Sequence, residues 1–101
     1  MTLRVLAVCV VATACDGVTS ERAQTILALT GDVVNGESLY STNCASCHLA
    51  DGSGDIGSNI QGVDQDLLVD AMLNGRTGMI SYADLFVDQE IADIAAYAEG
   101  L

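Results

Sequence analysis

The feature that most constrains this chain is a pair of cysteines with a histidine directly behind the second, Cys44-Ala45-Ser46-Cys47-His48. This histidine is the only one in 101 residues, and the chain contains no lysine, tryptophan or proline. Only four residues are aromatic, so a chain this short has little with which to fill a core. Small domains often need a disulfide, a metal or a cofactor for stability. This motif contains the residues that would form the disulfide or bind the metal or cofactor.

Four chemistries use two cysteines at this spacing. A structural zinc site needs four ligands, usually from two separated pairs, and the motif offers three. A thiol oxidoreductase carries the motif beside a βαβ pattern that is absent here, and a disulfide between Cys44 and Cys47 would close a tiny loop that stabilises little. Two thiols one helical turn apart can instead reach the two vinyl groups on one edge of a porphyrin, with His48 projecting toward the iron. The motif therefore favours a covalently attached c-type haem.

The first 14 residues predict a secretory signal. Arg4 is followed by an apolar run of ten residues, 5–14, which is too short to span a bilayer. A buried N-terminal helix is the alternative interpretation. Cys15 follows the small-residue run Ala12-Thr13-Ala14, which resembles a bacterial lipoprotein signal in which the cysteine becomes the lipidated first residue. The alternative is plain cleavage with a free Cys15. Either way the protein is expected to be exported and periplasmic, with a membrane tether if Cys15 is lipidated.

The rest of the chain divides into a predicted tether, residues 15–30, and a predicted folded domain, residues 31–101. Apolar residues at helical spacing predict three helices: Asp32–Asn43, Asp64–Asn74 and Asp88–Glu99. Asp64 and Asp88 are the predicted N-caps, because short acceptor side chains favour that position. A glycine-rich loop lies between the first two helices, and no segment alternates as a strand does. The expected fold is therefore all-α with long irregular loops.

The domain resembles small monohaem class I cytochromes c of the electron-carrier type, over about residues 31–101. The resemblance rests on two residues of the first helix and two loop segments: Gly36, Tyr40, 57–62 and 75–79. It implies a monomer of three to four helices around a covalently attached haem. It also implies that Gly36 of the first helix lies against Tyr97 of the last.

The chain departs from the family at two prolines, which are Ser58 and Ile80 here. The resemblance implies that the backbone carbonyl of Ser58 still accepts the second ring N–H of His48 and so orients the imidazole. Tyr82 and Phe86 lie just past the expected ligand methionine and are expected to pack against the haem. Ile80 follows the expected ligand methionine and leaves that loop without the rigidity of proline.

Two methionines are candidates for the second axial ligand, because the chain offers no second histidine and no lysine. Met72 lies on the apolar stripe of a predicted helix, where core packing is its ordinary role. Met79 follows Gly78 in a loop and occupies the family's ligand position. Met79 is therefore the favoured ligand beside His48, with an open sixth position as the alternative.

These residues predict a protein that passes single electrons between redox partners, and not an enzyme, because two filled axial positions keep substrate from the iron. A haem-based sensor, or a subunit of an oxidoreductase complex with a labile sixth ligand, is the alternative. A thiol oxidoreductase that uses Cys44 and Cys47 is a third hypothesis.

The charge balance excludes one class of partner and suggests another. Fourteen acidic residues against three arginines give a formal net charge of -11, which disfavours nucleic-acid binding because phosphate contacts need clustered basic residues. An acidic surface could steer the protein to redox partners with basic docking patches. It could equally serve only solubility.

Overall fold

The structure is a computed structural model that describes residues 20–101. The predicted signal, its cleavage site and Cys15 lie outside the described residues. The described part contains five helices and no strand: α1 (Glu21–Leu27), α2 (Val33–Asn43), α3 (Ala45–His48), α4 (Gln65–Asn74) and α5 (Asp88–Glu99). None of these helices is long and apolar enough to cross a membrane.

Helix α1 corrects the predicted tether, because residues 21–27 belong to the folded domain. The Ser20 hydroxyl caps the helix by accepting the N–H of Ala23 at 3.1 Å. Ala23 and Ile26 are fully buried, and the helix packs on α4 and α5. Its Arg22 guanidinium donates to Asp88 at 2.8 Å. A helix of seven residues is stabilised by tertiary packing and not by its own propensity. Because it buries only two residues, its sequence shows almost no helical periodicity.

Helices α2 and α5 cross in close contact at Gly36, as predicted. A Cβ atom at Gly36 would lie 2.9 Å from Cβ of Tyr97 and would overlap the backbone carbonyl of Asp93. Beyond the crossing, the rings of Tyr40 and Tyr97 meet with their centroids 5.5 Å apart. Glycine is therefore required at position 36, and its cost to an isolated helix of about 1 kcal/mol is offset by this approach.

The ends of α4 and α5 follow the predicted bounds but not all of the predicted caps. Helix α4 ends at Gly75, whose φ of 71° suits a residue without a side chain. Asp88 does not cap α5, because the N-cap position is Val87 and Asp88 pairs with Arg22. The side chain of Glu90 accepts the Val87 N–H at 3.0 Å instead, as a carboxylate three residues into a helix can do.

Candidate functional site

One large cavity opens among the described residues where α3, α4 and the loops after them face one another. Its volume is about 950 Å³, at the upper end of the roughly 300–1,000 Å³ typical of cofactor sites. Cys44, Cys47, His48 and Met79 all line it. Much of the remaining wall is apolar: Ile60, Leu67, Leu68, Met72, Ile94 and Ala98.

The two cysteines are placed by the single helical turn of α3. The N–H groups of Cys47 and His48 both donate to the carbonyl of Cys44, at 3.1 and 2.9 Å. Cys44 and Cys47 are not joined in a disulfide. Burial, with Cys47 beside it, raises the pKa of the Cys44 thiol to about 11. Both thiols line the cavity, and the thiol of Cys44 is neutral at pH 7.

The imidazole of His48 is held from two sides. Its Nδ1 lies 2.8 Å from the carbonyl oxygen of Ser58, the contact predicted from the sequence. A carbonyl only accepts, so Nδ1 carries a proton, and in the neutral imidazole the lone pair is then on Nε2. A Cβ atom at Gly57 would lie 2.7 Å from Cε1 of His48, so the ring lies against bare backbone. Ring tautomer and orientation are thus fixed as a metal-ligating histidine requires.

The loop that carries Ser58 is in turn bound to α3. The N–H groups of Asp55 and Gly57 donate to the carbonyl of Cys47, at 3.1 and 2.8 Å. The second cysteine and the residues that orient His48 therefore form one hydrogen-bonded unit.

Both candidate methionines line the cavity, one from a helix and the other from a loop. Met72 lies within α4 and is buried in the main core cluster. Met79 closes a tight turn after α4, in which Gly78 has a φ of 81°, and its side chain is partly buried. The structure thus brings His48 and Met79 to one cavity, with Met72 as part of its wall.

The two predicted aromatic neighbours of the cofactor differ in position. Tyr82 lines the cavity, and its hydroxyl lies 3.4 Å from the carbonyl of Asn43. Phe86 is not among the lining residues; it stacks on Tyr82 with ring centroids 5.3 Å apart and an angle of 12°. Phe86 therefore contacts the cavity through Tyr82, and its direct packing against the haem stays a prediction.

The lining also includes residues for which the sequence predicted no individual role, among them Gly57, Ile56 and Arg76. Gly57 could have been found, because it directly precedes the residue whose carbonyl faces His48. Arg76 and Ile56 carry no such signal, since an exposed arginine and a loop isoleucine have many ordinary roles.

Comparison with known proteins agrees with this geometry. Residues 31–97 match the family model described as cytochrome c oxidase, cbb3-type, subunit III. The chain belongs to the class I cytochrome c family. It is 38% identical over 76 residues to a cytochrome c6-like protein of Nostoc sp., covering 65% of this chain and 68% of that protein. It is 30% identical over 78 residues to cytochrome c6 of Diacronema lutheri, covering 66% and 93%.

Solved structures show the same fold. Cytochrome c6 of the diatom Phaeodactylum tricornutum superposes with a TM-score of 0.63 at 27% identity, covering 69% of this cytochrome and 93% of that chain. Cytochrome CL of Methylophaga aminisulfidivorans superposes with a TM-score of 0.59 at 24% identity, covering 67% and 53%. This cytochrome spans about half the length of that second protein, and the likeness to it is one of fold. The all-α prediction is confirmed.

Family membership makes covalently bound haem c the cofactor, and the cavity fits that group. Much of the wall is apolar, both thiols line the cavity, and the His48 ring is held through Nδ1. Like other cytochromes c, the protein transfers electrons and is not an enzyme.

Proposed function

We propose that this cytochrome carries single electrons with its haem bonded through Cys44 and Cys47 and ligated by His48 and Met79. The observation that carries the proposal is that these four side chains, from two segments of the chain, line one cavity in which His48 is already oriented. When bound, the haem supplies a one-electron iron couple.

The chain's own residues decide how that couple is used. A haem held by the thioether of Met79 as well as the imidazole of His48 would have a higher reduction potential than one at a site lacking methionine. Apolar wall residues such as Leu68 and Ile94 exclude water from the cavity. The contacts that hold the His48 ring limit the structural rearrangement that accompanies electron transfer. If His48 and Met79 both held the iron, no site would remain there for a substrate, and the bound haem would supply one-electron transfer only.

The sixth ligand is tested by comparing Met79→Ala with Met72→Leu as a matched control. We expect Met79→Ala to lose the near-infrared band of methionine bound to ferric haem, and to bind carbon monoxide readily when reduced. Met72→Leu keeps an apolar side chain of similar volume and should retain the band. A band that survives in Met79→Ala would contradict the assignment. A wild-type protein without the band would favour the labile sixth ligand of a sensor.

We propose that the redox partners present basic patches. Support comes from the charge balance, since the two arginines of the described residues, Arg22 and Arg76, are each paired with an aspartate. The acidic surface is therefore without free arginine charge within residues 20–101.

We further propose export and lipidation at Cys15, supported by the apolar run and small residues before it. Because α1 begins at Glu21, only residues 16–20 would separate the acylated cysteine from the folded domain. Five residues reach at most about 18 Å, so the domain would stay close to the membrane. Intact-mass measurement of protein from bacterial membranes should show acyl groups that Cys15→Ser lacks. A soluble wild-type protein of unmodified mass would contradict lipidation.

A further inference from the structure

The segment after Met79 is fastened to the C-terminal end of α4. The Ser81 hydroxyl donates to the carbonyl of Leu73 at 2.6 Å and accepts the N–H of Ala83 at 3.1 Å. The N–H of Tyr82 donates to the carbonyl of Met72 at 2.7 Å. The last carbonyls of a helix have no partner within the helix. Residues 81 and 82 supply two of those partners for α4.

The segment before Met79 is closed as well. Arg76 and Met79 exchange two backbone hydrogen bonds, at 3.0 and 2.8 Å, and the Arg76 guanidinium pairs with Asp70 on α4. Gly75 lets the returning chain pass, since a Cβ atom there would lie 2.8 Å from the carbonyl oxygen of Met79. Met79 is thus held between a tight turn and the Ser81 contact.

Ile80 is the one residue between Met79 and that contact, and its side chain is 62% exposed. It restricts the backbone less than proline would, because proline fixes φ. The stiffness of the loop must therefore come from its hydrogen bonds. The hydroxyl of Ser81 is the side-chain group that joins this loop to α4 on the C-terminal side of Met79.

We propose that Ser81 is a positioning residue for Met79: its hydroxyl fastens the loop to α4 and so keeps the Met79 thioether in the cavity. This inference rests on the proposed function, in which Met79 is an axial ligand. Without the hydroxyl, the Leu73 carbonyl loses that partner, and the loop with Met79 released becomes more populated. A single hydrogen bond of this kind shifts such an equilibrium by roughly five- to tenfold.

The test is a titration of the ferric, haem-loaded protein with imidazole, followed by absorption spectroscopy. Imidazole must compete with Met79, so its apparent affinity rises in proportion to the population with the sixth position open. We expect Ser81→Ala to bind imidazole about five- to tenfold more tightly than wild type. Ser81→Thr, which keeps the hydroxyl, should restore weak binding, and Ser38→Ala on the exposed face of α2 should match wild type.

The Met79→Ala background separates this proposal from the function on which it rests. There the sixth position is already open, so adding Ser81→Ala should leave imidazole affinity unchanged. An equal gain in that background would show that Ser81 does not act through Met79 and would overturn the proposal, as would Ser81→Ala binding like Ser38→Ala. If Met79→Ala itself binds imidazole no more tightly than wild type, the ligand assignment fails instead.

Discussion

At the scale of single residues, Asp93 shows how a carboxylate can be buried at a helix crossing. Its side chain is 3% exposed and accepts three hydrogen bonds. Its donors are the N–H of Asp32 at 2.7 Å and the side-chain amides of Asn35 and Gln89, both at 2.8 Å. Burial raises the pKa of Asp93, but these bonds outweigh it and leave the pKa below its ordinary value of 3.8. Asp93 therefore ties the start of α2 to α5 as an ionised group.

We expect Asp93→Asn to lower the free energy of unfolding by about 1–3 kcal/mol, because an amide nitrogen would face donors where a carboxylate oxygen accepted. Since the folded pKa is depressed, the stability that Asp93 contributes is fully present above the unfolded value of about 3.9. It is lost as the pH falls through the folded pKa. Urea unfolding of the haem-loaded protein between pH 7 and pH 3 measures both effects.

The exposed carboxylate of Asp84 provides the matched control for this experiment. Asp84→Asn should leave stability at pH 7 nearly unchanged and should keep the acid-sensitive limb of the wild type. Equal stability of Asp93→Asn and Asp84→Asn at every pH would show that the hydrogen bonds of Asp93 contribute nothing.

At the scale of elements, the sequence predicted the three longer helices and did not predict the two shorter ones, α1 and α3. Helices α2, α4 and α5 have ten to twelve residues each, enough for a period of 3.6 to be visible. Helix α1 has seven, and its place in the core depends on contacts with α4 and α5 that no local pattern contains. The choice of Val87 over Asp88 as N-cap likewise depends on a tertiary partner, Arg22.

The residues of the candidate site also divide into those that the local sequence predicts and those that depend on tertiary contacts. The adjacency of Cys44, Cys47 and His48 is local, so the motif alone placed them together. The contact between His48 and Ser58 spans ten residues and was predicted from the family resemblance, which supplies what local chemistry cannot. The stacking of Phe86 on Tyr82 could not be predicted, because sequence position after Met79 does not say on which side of Tyr82 a ring stacks.

At the scale of the whole molecule, charge is distributed unevenly around the cavity. The chain carries 14 acidic residues, yet Asp55 is the only acidic residue among those that line the cavity, where Arg76 stands as the only basic one. Ile56 and Ile80, both more than half exposed, also belong to that lining. Redox partners could contact the cavity opening through its apolar residues, while the acidic surface around it attracts basic partners at longer range.

This distribution predicts opposite salt effects for two small redox reagents. Electron exchange with cationic hexaammineruthenium should slow as ionic strength rises, and exchange with anionic ferricyanide should quicken, because added salt screens attraction and repulsion alike. Stopped-flow rates from about 10 mM to 0.5 M salt measure both, since the Debye length falls from about 30 Å at the low end toward 3 Å at 1 M. Asp55→Asn, at the cavity, should change the rates more than Glu21→Gln, which is outside the lining. Rates independent of salt for both reagents would leave solubility as the only role of the acidic surface.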